Sequence, residues 1–373
     1  MTKRPQVLMI SKPITAPWND SAKNIVRDQV MHRSSYTYRL MTTRGDTLTG
    51  DGIITEPLYP DAGRYRAGIK QNLKIMFRGL RPGPVSLYHY FFAPNLLTSL
   101  AGRAQRIVAG VKSVQTICSA PATFNGIKKL IFTDGIIVLS NDTKNKMERF
   151  GVPANKIRLI RPGIEPLRPP DDNAASAIRR KLGLDDGRIV VFPGDLEFSN
   201  AAQTVAAAAR EITSIGNDVQ LVFACRIKTE AAREIQAKIK KQLAYLKNRV
   251  HFINEVDDMP AFVGTADLVV LPADNLYAKM DVPLVLLEAM SQEVPVVIAD
   301  AAPLNELLET GGILAVPPGD SDRLGGAVSD ILTNKNMHLS LAKAGAQAVK
   351  DNFSAKNMAR QIENFYDELL ADR

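Results

Sequence analysis

The stretch that decides the fold is residues 266–300, ADLVVLPADNLYAKMDVPLVLLEAMSQEVPVVIAD. An apolar run ends at Pro272 and a polar loop follows it. A helix is predicted to begin near Pro283 or Leu284, because proline is favoured in the first helical turn. A second apolar run starts at Pro295. Continuous Val, Ile and Leu runs indicate strands buried on both faces, and strands that alternate with helices indicate a parallel sheet covered by helices.

The same alternation extends over the whole chain of 373 residues. We therefore predict an α/β fold of two doubly wound domains that face each other across a cleft. Residues 161–176 hold four prolines and two aspartates and are predicted to be a linker. The predicted domains are residues 1–166 and 167–353, with residues 354–373 forming a C-terminal helix that packs back on the first domain. The predicted strands are residues 6–11, 86–91, 113–118 and 135–140, then 188–194, 219–225, 249–253, 266–272 and 295–300.

The composition is that of a soluble globular protein, with 45% hydrophobic and 23% charged residues. Every apolar run is shorter than the roughly 18 residues that a membrane span needs. The apolar part of the N-terminus is too short for a signal peptide. Cys118 and Cys225 lie far apart in strand-like runs, which argues against a disulfide framework and favours the cytoplasm.

Charge is divided unevenly along the chain. Residues 1–165 hold 25 Lys and Arg against 10 Asp and Glu, a net charge of +15, whereas residues 166–373 hold 22 against 29, a net charge of −7. A basic half indicates an anionic partner, which would be nucleic acid, an anionic membrane surface or an acidic substrate, unless the charge only maintains solubility.

Residues 62–84 carry six basic side chains beside an apolar face. This pattern is typical of a helix on a membrane surface, and also of an ordinary surface helix packed on a sheet. We predict peripheral contact with an anionic membrane, at its inner face, through residues 64–81. Nucleic acid is not an expected partner, because the basic residues do not interleave with an aromatic stacking platform.

The helix after Pro272 has the features of an anion site. Its first N–H groups, at Leu284 and Val285, and the positive end of its dipole point toward the expected cleft, where they suit a phosphate or diphosphate. Glu288 lies one turn further along, and its carboxylate can accept two hydrogen bonds from the vicinal hydroxyls of a ribose.

At these residues the sequence resembles the retaining, nucleotide-sugar-dependent glycosyltransferases of the GT-B fold, family four (group 1). The family pattern is Glu, seven residues, Glu and then Ala-Met, and here Glu288-Ala289-Met290 matches its second half. The resemblance covers nearly the whole chain. Further matches are residues 136–165, 248–273, 293–309, 311–328 and 350–366.

Several positions depart from the family pattern. The first Glu is replaced by Met280, with Asp281 beside it, and the glycines that usually follow are Val282 and Pro283. Gly194-Asp195 and Ser199-Asn200 stand where the family has an Arg and a Lys for the donor diphosphate. The family's Thr-x-His appears as Thr116-Ile117-Cys118, without the histidine.

Three explanations of these departures stay open. The site is rebuilt from neighbouring residues, the donor is unusual, or the chain binds without catalysis. In the rebuilt site, Asp281 replaces the first Glu at the donor sugar. Arg226 and Lys228, at the end of a predicted strand, replace the missing cations and hold the diphosphate together with Gly194. The alternative for both cations is a solvated helix start.

The first domain has candidate residues of its own. Asp20 in the loop after the first strand is expected to orient an acceptor hydroxyl, or only to cap a helix, and Lys23 is expected to meet a phosphate. Trp18 lines the acceptor site or fills a gap beneath this loop. His89, at a strand end, is a candidate donor to a phosphate or sugar, and otherwise a packed core residue.

The resemblance implies transfer of a sugar from a nucleoside diphosphate to an acceptor hydroxyl of a glycan, glycolipid or polyprenyl-linked molecule, with retention at the anomeric carbon. No cofactor or metal is expected, since the Asp320-Ser321-Asp322 turn is explained by helix capping. A nucleotide-sugar epimerase is a less favoured rival, because the chain has only four histidines. A GT-B protein that binds a nucleotide sugar or glycan without turnover is the main alternative.

Overall fold

The computed structural model describes residues 4–45, 48–60 and 68–371, apart from the side chain of Ile69. The chain forms two compact units. The first unit comprises Met1–Glu165, Ala278–Asp281 and Ser354–Arg373, and the second comprises Pro166–Tyr277 and Val282–Phe353. Each unit contains one sheet in which every described strand pair is parallel, so the predicted fold class of two doubly wound α/β units is confirmed.

Within the described residues, the sheet of the first unit has seven strands in the order β3-β2-β1-β4-β5-β6-β7. The central strand β1 reads QVLMI, and its Val7, Leu8 and Met9 are fully buried because helices cover both faces of a doubly wound sheet. The strands are β1 Gln6–Ile10, β2 Thr37–Thr43, β3 Ile53–Tyr59, β4 Val85–Phe91, β5 Lys112–Ile117, β6 Gly135–Val138 and β7 Ile157–Leu159. The helices are α1 Ser21–Met31, α2 Ile69–Gly79, α3 Leu96–Ala109, α4 Ile127–Leu130 and α5 Asn141–Arg149.

The sheet of the second unit has six strands in the order β10-β9-β8-β11-β12-β13. Strand β8 lies between β9 and β11, so the order of connection reverses beside β8. The strands are β8 Arg188–Phe192, β9 Val219–Ala224, β10 Val250–Ile253, β11 Leu268–Leu271, β12 Val296–Ala299 and β13 Ile313–Val316. The helices are α6 Asp172–Lys181, α7 Ala201–Ser214, α8 Glu230–Gln242, α9 Met259–Val263, α10 Leu284–Ser291, α11 Ser321–Thr333 and α12 Lys335–Asn352.

The C-terminal helix α13, Ala355–Ala371, belongs to the first unit. The buried carboxylate of Glu363 accepts hydrogen bonds from the N–H groups of Ser34 and Ser35 and from the hydroxyls of Ser34 and Tyr38, at 2.6–3.2 Å. Four donors on one buried carboxylate fasten the last helix to the start of β2. The division of the chain at Glu165/Pro166 lies one residue from the boundary predicted from the sequence.

Every predicted strand is present, but four strands lie outside the predictions: β2, β3, β7 and β13. Strand β3, IITEPLY, contains a glutamate and a proline and is the edge strand of its sheet, so it lacks a continuous apolar run. The predicted linker is also too long, because α6 already begins at Asp172, where the Asp171 side chain accepts from the Ala174 N–H at 2.9 Å.

The predicted basic amphipathic segment is described only in part. Arg64 and Arg66 lie outside the described residues, and α2 begins at Ile69. Among the residues that the structure describes, no helix has the length and apolar character needed to cross a bilayer.

Candidate active site

The carboxyl ends of β8, β9 and β11 form one edge of the second unit's sheet, at the point where the strand order reverses. Ligands of doubly wound sheets bind at such an edge. The loops after these strands are tied together. Asn200 donates to the Asp274 carboxylate through its backbone and side-chain nitrogens, both at 3.0 Å, and the Thr229 hydroxyl donates to Glu197. A preformed loop cluster therefore surrounds this edge.

Helix α10 follows β11 and begins at Leu284, as predicted. Its N-cap residue is Pro283, which has no N–H and no capping side chain, and no acidic residue lies in the first turn. The positive end of the helix, including the N–H groups of Leu284 and Val285, is therefore not compensated by a carboxylate of its own. Glu288 lies one turn further on and is 8% exposed.

Arg226 and Lys228 follow β9 directly and are exposed, so they lie at the same edge of the sheet. The Arg226 guanidinium has no hydrogen-bond or ion-pair partner among the described residues. The next residue, Thr229, caps α8 by accepting from the Ala232 N–H, which fixes the end of this loop. The position suits a cation that meets a bound anion.

Gly194 lies two residues after the end of β8, and packing explains why this position is a glycine. A Cβ at this position would lie 2.1 Å from the Phe192 ring. The next residue, Asp195, turns the loop by accepting from the N–H groups of Glu197 and Phe198, at 3.0 and 2.7 Å. Close approach to a ligand is therefore not needed to explain the glycine.

Asp281 has a different role from the one predicted. It belongs to the first unit and is 1% exposed. Its carboxylate accepts from the hydroxyls of Ser140 and Thr143, both at 2.6 Å, and from the Ala120 N–H at 3.2 Å. Burial raises the pKa of Asp281, and these three hydrogen bonds oppose that rise. A carboxylate enclosed in this way is a structural anchor, and we withdraw its assignment to the donor sugar.

The loop after β1 is organised around Asp20. Its side chain caps α1 by accepting from the N–H groups of Ala22 and Lys23, and it pairs with the Lys12 ammonium at 2.5 Å. Burial would raise the pKa of Asp20, but Lys12 and the two N–H groups together hold it below its usual value. The carboxylate is thus ionised, with 26% of its side chain exposed.

Lys23 is buried beneath this loop, which does not favour the predicted phosphate contact. Its ammonium donates to the Pro17 carbonyl at 3.0 Å and lies 5.6 Å from the centre of the Trp18 ring. Arg27 lies at 5.2 Å from the same ring. Trp18 is half-buried and packs against both cations, so it contributes to the packing of this loop on α1.

His89 is a core residue, and we withdraw its assignment as a donor to substrate. It is fully buried, and its two ring nitrogens contact the hydroxyls of Tyr366 and Thr116, at 2.5 and 2.6 Å. Burial lowers its pKa to about 3, so the ring is neutral at physiological pH. Thr116, the residue that matches the family's Thr-x-His, is therefore engaged with this histidine.

Asp320 caps α11 by accepting from the Arg323 N–H at 2.9 Å, which is the role predicted for the Asp320-Ser321-Asp322 turn. Within the described ranges, no group of three or more His, Cys, Asp or Glu side chains is arranged to hold a metal ion.

Several residues of the loop cluster were not predicted from the sequence. Asp274 and Asn200 join two loops, and Tyr277 packs edge-on against Phe198 with ring centres 5.8 Å apart. Lys12 was also missed; it follows the first strand and pairs with Asp20, eight residues further along the chain. The other contacts join residues about 75 positions apart, which no local pattern reveals.

The second unit is similar to a known protein family, and the whole chain is similar in fold to solved structures. A family model described as "Glycosyl transferases group 1" matches residues 187–334, most of that unit. The crystal structure of HepE from Anabaena in complex with UDP and glucose has a TM-score of 0.76 at 16% identity, covering 98% of this chain and 100% of that one. Sucrose-phosphate synthase from Thermosynechococcus elongatus has a TM-score of 0.75 at 18% identity. The fold is therefore GT-B, and residues 187–334 of the second unit are similar to the glycosyltransferase group 1 family.

Among curated proteins, alpha-D-kanosaminyltransferase of Streptomyces kanamyceticus is 26% identical over 240 residues, covering 63% of this chain and 60% of that protein. The GDP-mannose-dependent alpha-(1-6)-phosphatidylinositol monomannoside mannosyltransferase of Mycobacterium tuberculosis is 24% identical over 240 residues, covering 62% and 61%. The match thus spans about three fifths of the length of these relatives.

Proposed function

We propose that the protein is a glycosyltransferase that moves a sugar from a nucleoside-diphosphate sugar to an acceptor hydroxyl with retention of configuration. The observation that carries the proposal is the start of α10. Helix α10 follows β11, the neighbour of β8, beside which the strand order reverses. Its N-terminus has no capping side chain and no acidic residue in the first turn, and it lies inside the region that matches the group 1 family. Such a helix end favours a diphosphate, which carries the leaving negative charge in this reaction.

The donor is assigned to the second unit. The N–H groups of Leu284 and Val285 and the cations Arg226 and Lys228 stabilise the diphosphate, and Glu288 accepts from the ribose hydroxyls. This assignment places the charge stabilisation on backbone dipoles and side-chain cations. We propose on this basis that the transfer needs no divalent metal.

Transfer breaks the bond between the anomeric carbon and the phosphate oxygen and forms a bond from that carbon to the acceptor oxygen. The acceptor's proton passes to the departing phosphate oxygen on the same face of the sugar, so retention requires no nucleophile from the protein. The residues contribute position and charge stabilisation.

The acceptor is assigned to the first unit, at the loop after β1. The ionised Asp20 carboxylate, with part of its surface accessible, orients the acceptor hydroxyl, and Lys12 holds the carboxylate in place. The acceptor is a glycan or a lipid-linked molecule. The excess positive charge of residues 1–165 supports a peripheral location on an anionic membrane.

The test is a panel of UDP, GDP and ADP and their sugars, first titrated by calorimetry and then assayed for transfer or hydrolysis by NMR at the anomeric proton. Binding of one nucleotide, activity that survives EDTA and a product with the donor's configuration are expected. Binding without turnover on any acceptor would indicate a binding protein, and an inverted product would contradict the proposed mechanism.

A further inference from the structure

Helix α3 turns its apolar side outward and its small and polar side toward the interior, which is the opposite of an ordinary surface helix. The side toward the unit's interior is formed by Ser99, Gly102 and Gln105, all buried. Five large apolar side chains point outward and are 58–82% exposed: Leu96, Leu97, Leu100, Ile107 and Val108. On a helix of 3.6 residues per turn, these five positions form one stripe opposite the buried side.

Specific contacts hold α3 in this orientation. The Ser99 hydroxyl donates to the Leu130 carbonyl at 2.6 Å, and the Gln105 amide accepts from the Tyr90 hydroxyl and donates to the Met76 carbonyl. A Cβ on Gly102 would lie 2.2 Å from the Phe132 ring, so only glycine fits there. Rotating the helix to bury the leucines would break these hydrogen bonds, so the packing of α3 keeps the stripe exposed.

The surroundings of the stripe are basic. Arg103 lies on α3 between Leu100 and Ile107 and donates to the Lys129 carbonyl, which places α4 beside this helix. The helix α2, which contacts α3, adds exposed Leu73 and Phe77. Helices α2, α3 and α4 contain no Asp or Glu, and their exposed lysines are Lys70, Lys74, Lys128 and Lys129.

We propose that the α3 stripe, joined by Leu73 and Phe77 of α2, inserts into the interface of an anionic lipid bilayer. Exposed leucines and an isoleucine match the acyl boundary, and the surrounding lysines match anionic headgroups. With 14 residues α3 lies along the surface and does not span the bilayer. A second copy of this chain fits less well, because a two-fold contact would place the basic rims against each other.

The contact predicted from the sequence lies in residues 64–81, which include part of α2. Here the inserting element is instead the α3 stripe, and Leu73 and Phe77 of α2 only extend it. Lipid binding is also independent of the proposed enzymatic activity, since it is measured without donor or acceptor. A failure of one therefore leaves the other standing.

The experiment is vesicle flotation of the full-length protein with phosphatidylcholine alone and with phosphatidylcholine containing 30 mol% phosphatidylglycerol. The test variant is Leu97→Gln/Leu100→Gln/Ile107→Gln, and the control is Met31→Gln, an exposed apolar residue of α1 in the same unit. Wild type and Met31→Gln are expected to bind the anionic vesicles equally. The triple variant is expected to lose about tenfold or more in partitioning, with an unchanged circular dichroism spectrum.

The depth to which the stripe inserts is tested with an environment-sensitive fluorophore attached to Ile107→Cys. The comparison is the same fluorophore on Met31→Cys, and both variants carry Cys118→Ser. A blue shift on vesicle addition at position 107 alone is expected. Equal vesicle binding by the triple variant, or the absence of the shift at position 107, would overturn the proposal. A dimer that the triple variant dissociates, without binding to vesicles, would instead identify the stripe as a contact between copies.

Discussion

At the scale of single residues, Asp281 holds the fold together, whereas Glu288 is the carboxylate proposed to bind the donor. Asp281 and Glu288 lie seven positions apart, yet Asp281 belongs to the first unit and Glu288 to the second. The Asp281 oxygens are occupied by three donors from β5 and β6 connections. Glu288 lies on the helix whose N-terminus has no cap of its own. The chemistry of the proposed site therefore rests on Glu288.

Replacing Asp281 tests its structural role. Asp281→Ala leaves two buried hydroxyls, of Ser140 and Thr143, and the Ala120 N–H without an acceptor, which should lower the unfolding free energy by about 3 kcal/mol or more. Asp281→Asn keeps one acceptor oxygen and should cost less. Urea unfolding followed by circular dichroism measures both. Full stability of Asp281→Ala with loss of donor-sugar affinity would restore the sugar-binding assignment.

The buried His89 predicts a pH dependence of stability. Its pKa is lowered from 6.5 to about 3 by burial, so below pH 6.5 the unfolded chain binds a proton that the folded chain does not. The stability that neutral His89 contributes is present above pH 6.5 and decreases as the pH falls, by up to about 1.4 kcal/mol per pH unit.

Urea unfolding of wild type and His89→Gln at pH 7.0, 6.0 and 5.0 measures this dependence. The wild type should lose more stability than His89→Gln over the interval, whatever the variant's stability at pH 7. Identical slopes would show that His89 does not change its protonation on unfolding.

At the scale of elements, the site is built from the ends of strands and the start of one helix. Strands β8, β9 and β11 each end in a loop at the same edge, and α10 begins beyond the third. The loop after β9 presents its cations from a fixed position, because Thr229 caps α8 and also donates to Glu197. The proposed diphosphate contact therefore depends on the conformation of this loop as well as on the Arg226 side chain.

Replacing the exposed arginine of that loop tests the diphosphate contact. A hydrogen bond to a charged group contributes about 1.5–3 kcal/mol, so Arg226→Ala should weaken nucleoside diphosphate binding by about tenfold to a hundredfold. Arg233→Ala, an exposed arginine on α8, is the matched control and should bind as wild type. Calorimetric titration of UDP and GDP measures both. Equal affinities of the two variants would remove Arg226 from the site.

At the scale of the whole molecule, the sequence predicts those helices and strands that a local pattern of residues determines. Continuous apolar runs such as QVLMI and LVVL determine buried parallel strands, and Pro283 marks the start of α10. Such patterns do not predict the strand IITEPLY, because it lies at the edge of its sheet and lacks a continuous apolar run. They also do not predict the orientation of α3, because its apolar side chains face outward. The roles of Asp281 and His89 depend on partners 138 and 277 residues away, which only the folded chain brings together.

The proposed site depends above all on one contact, between Glu288 and the ribose of a ribonucleotide bound to the second unit. The measurement is calorimetric titration of UDP and GDP, and of their 2′,3′-dideoxy forms, into wild type and Glu288→Ala. Wild type should prefer the ribonucleotide, and Glu288→Ala should lose about 1–3 kcal/mol for it while binding the dideoxy form unchanged. An equal loss for both forms would indicate a structural role for Glu288, and no binding of any of these nucleotides to wild type would contradict the account.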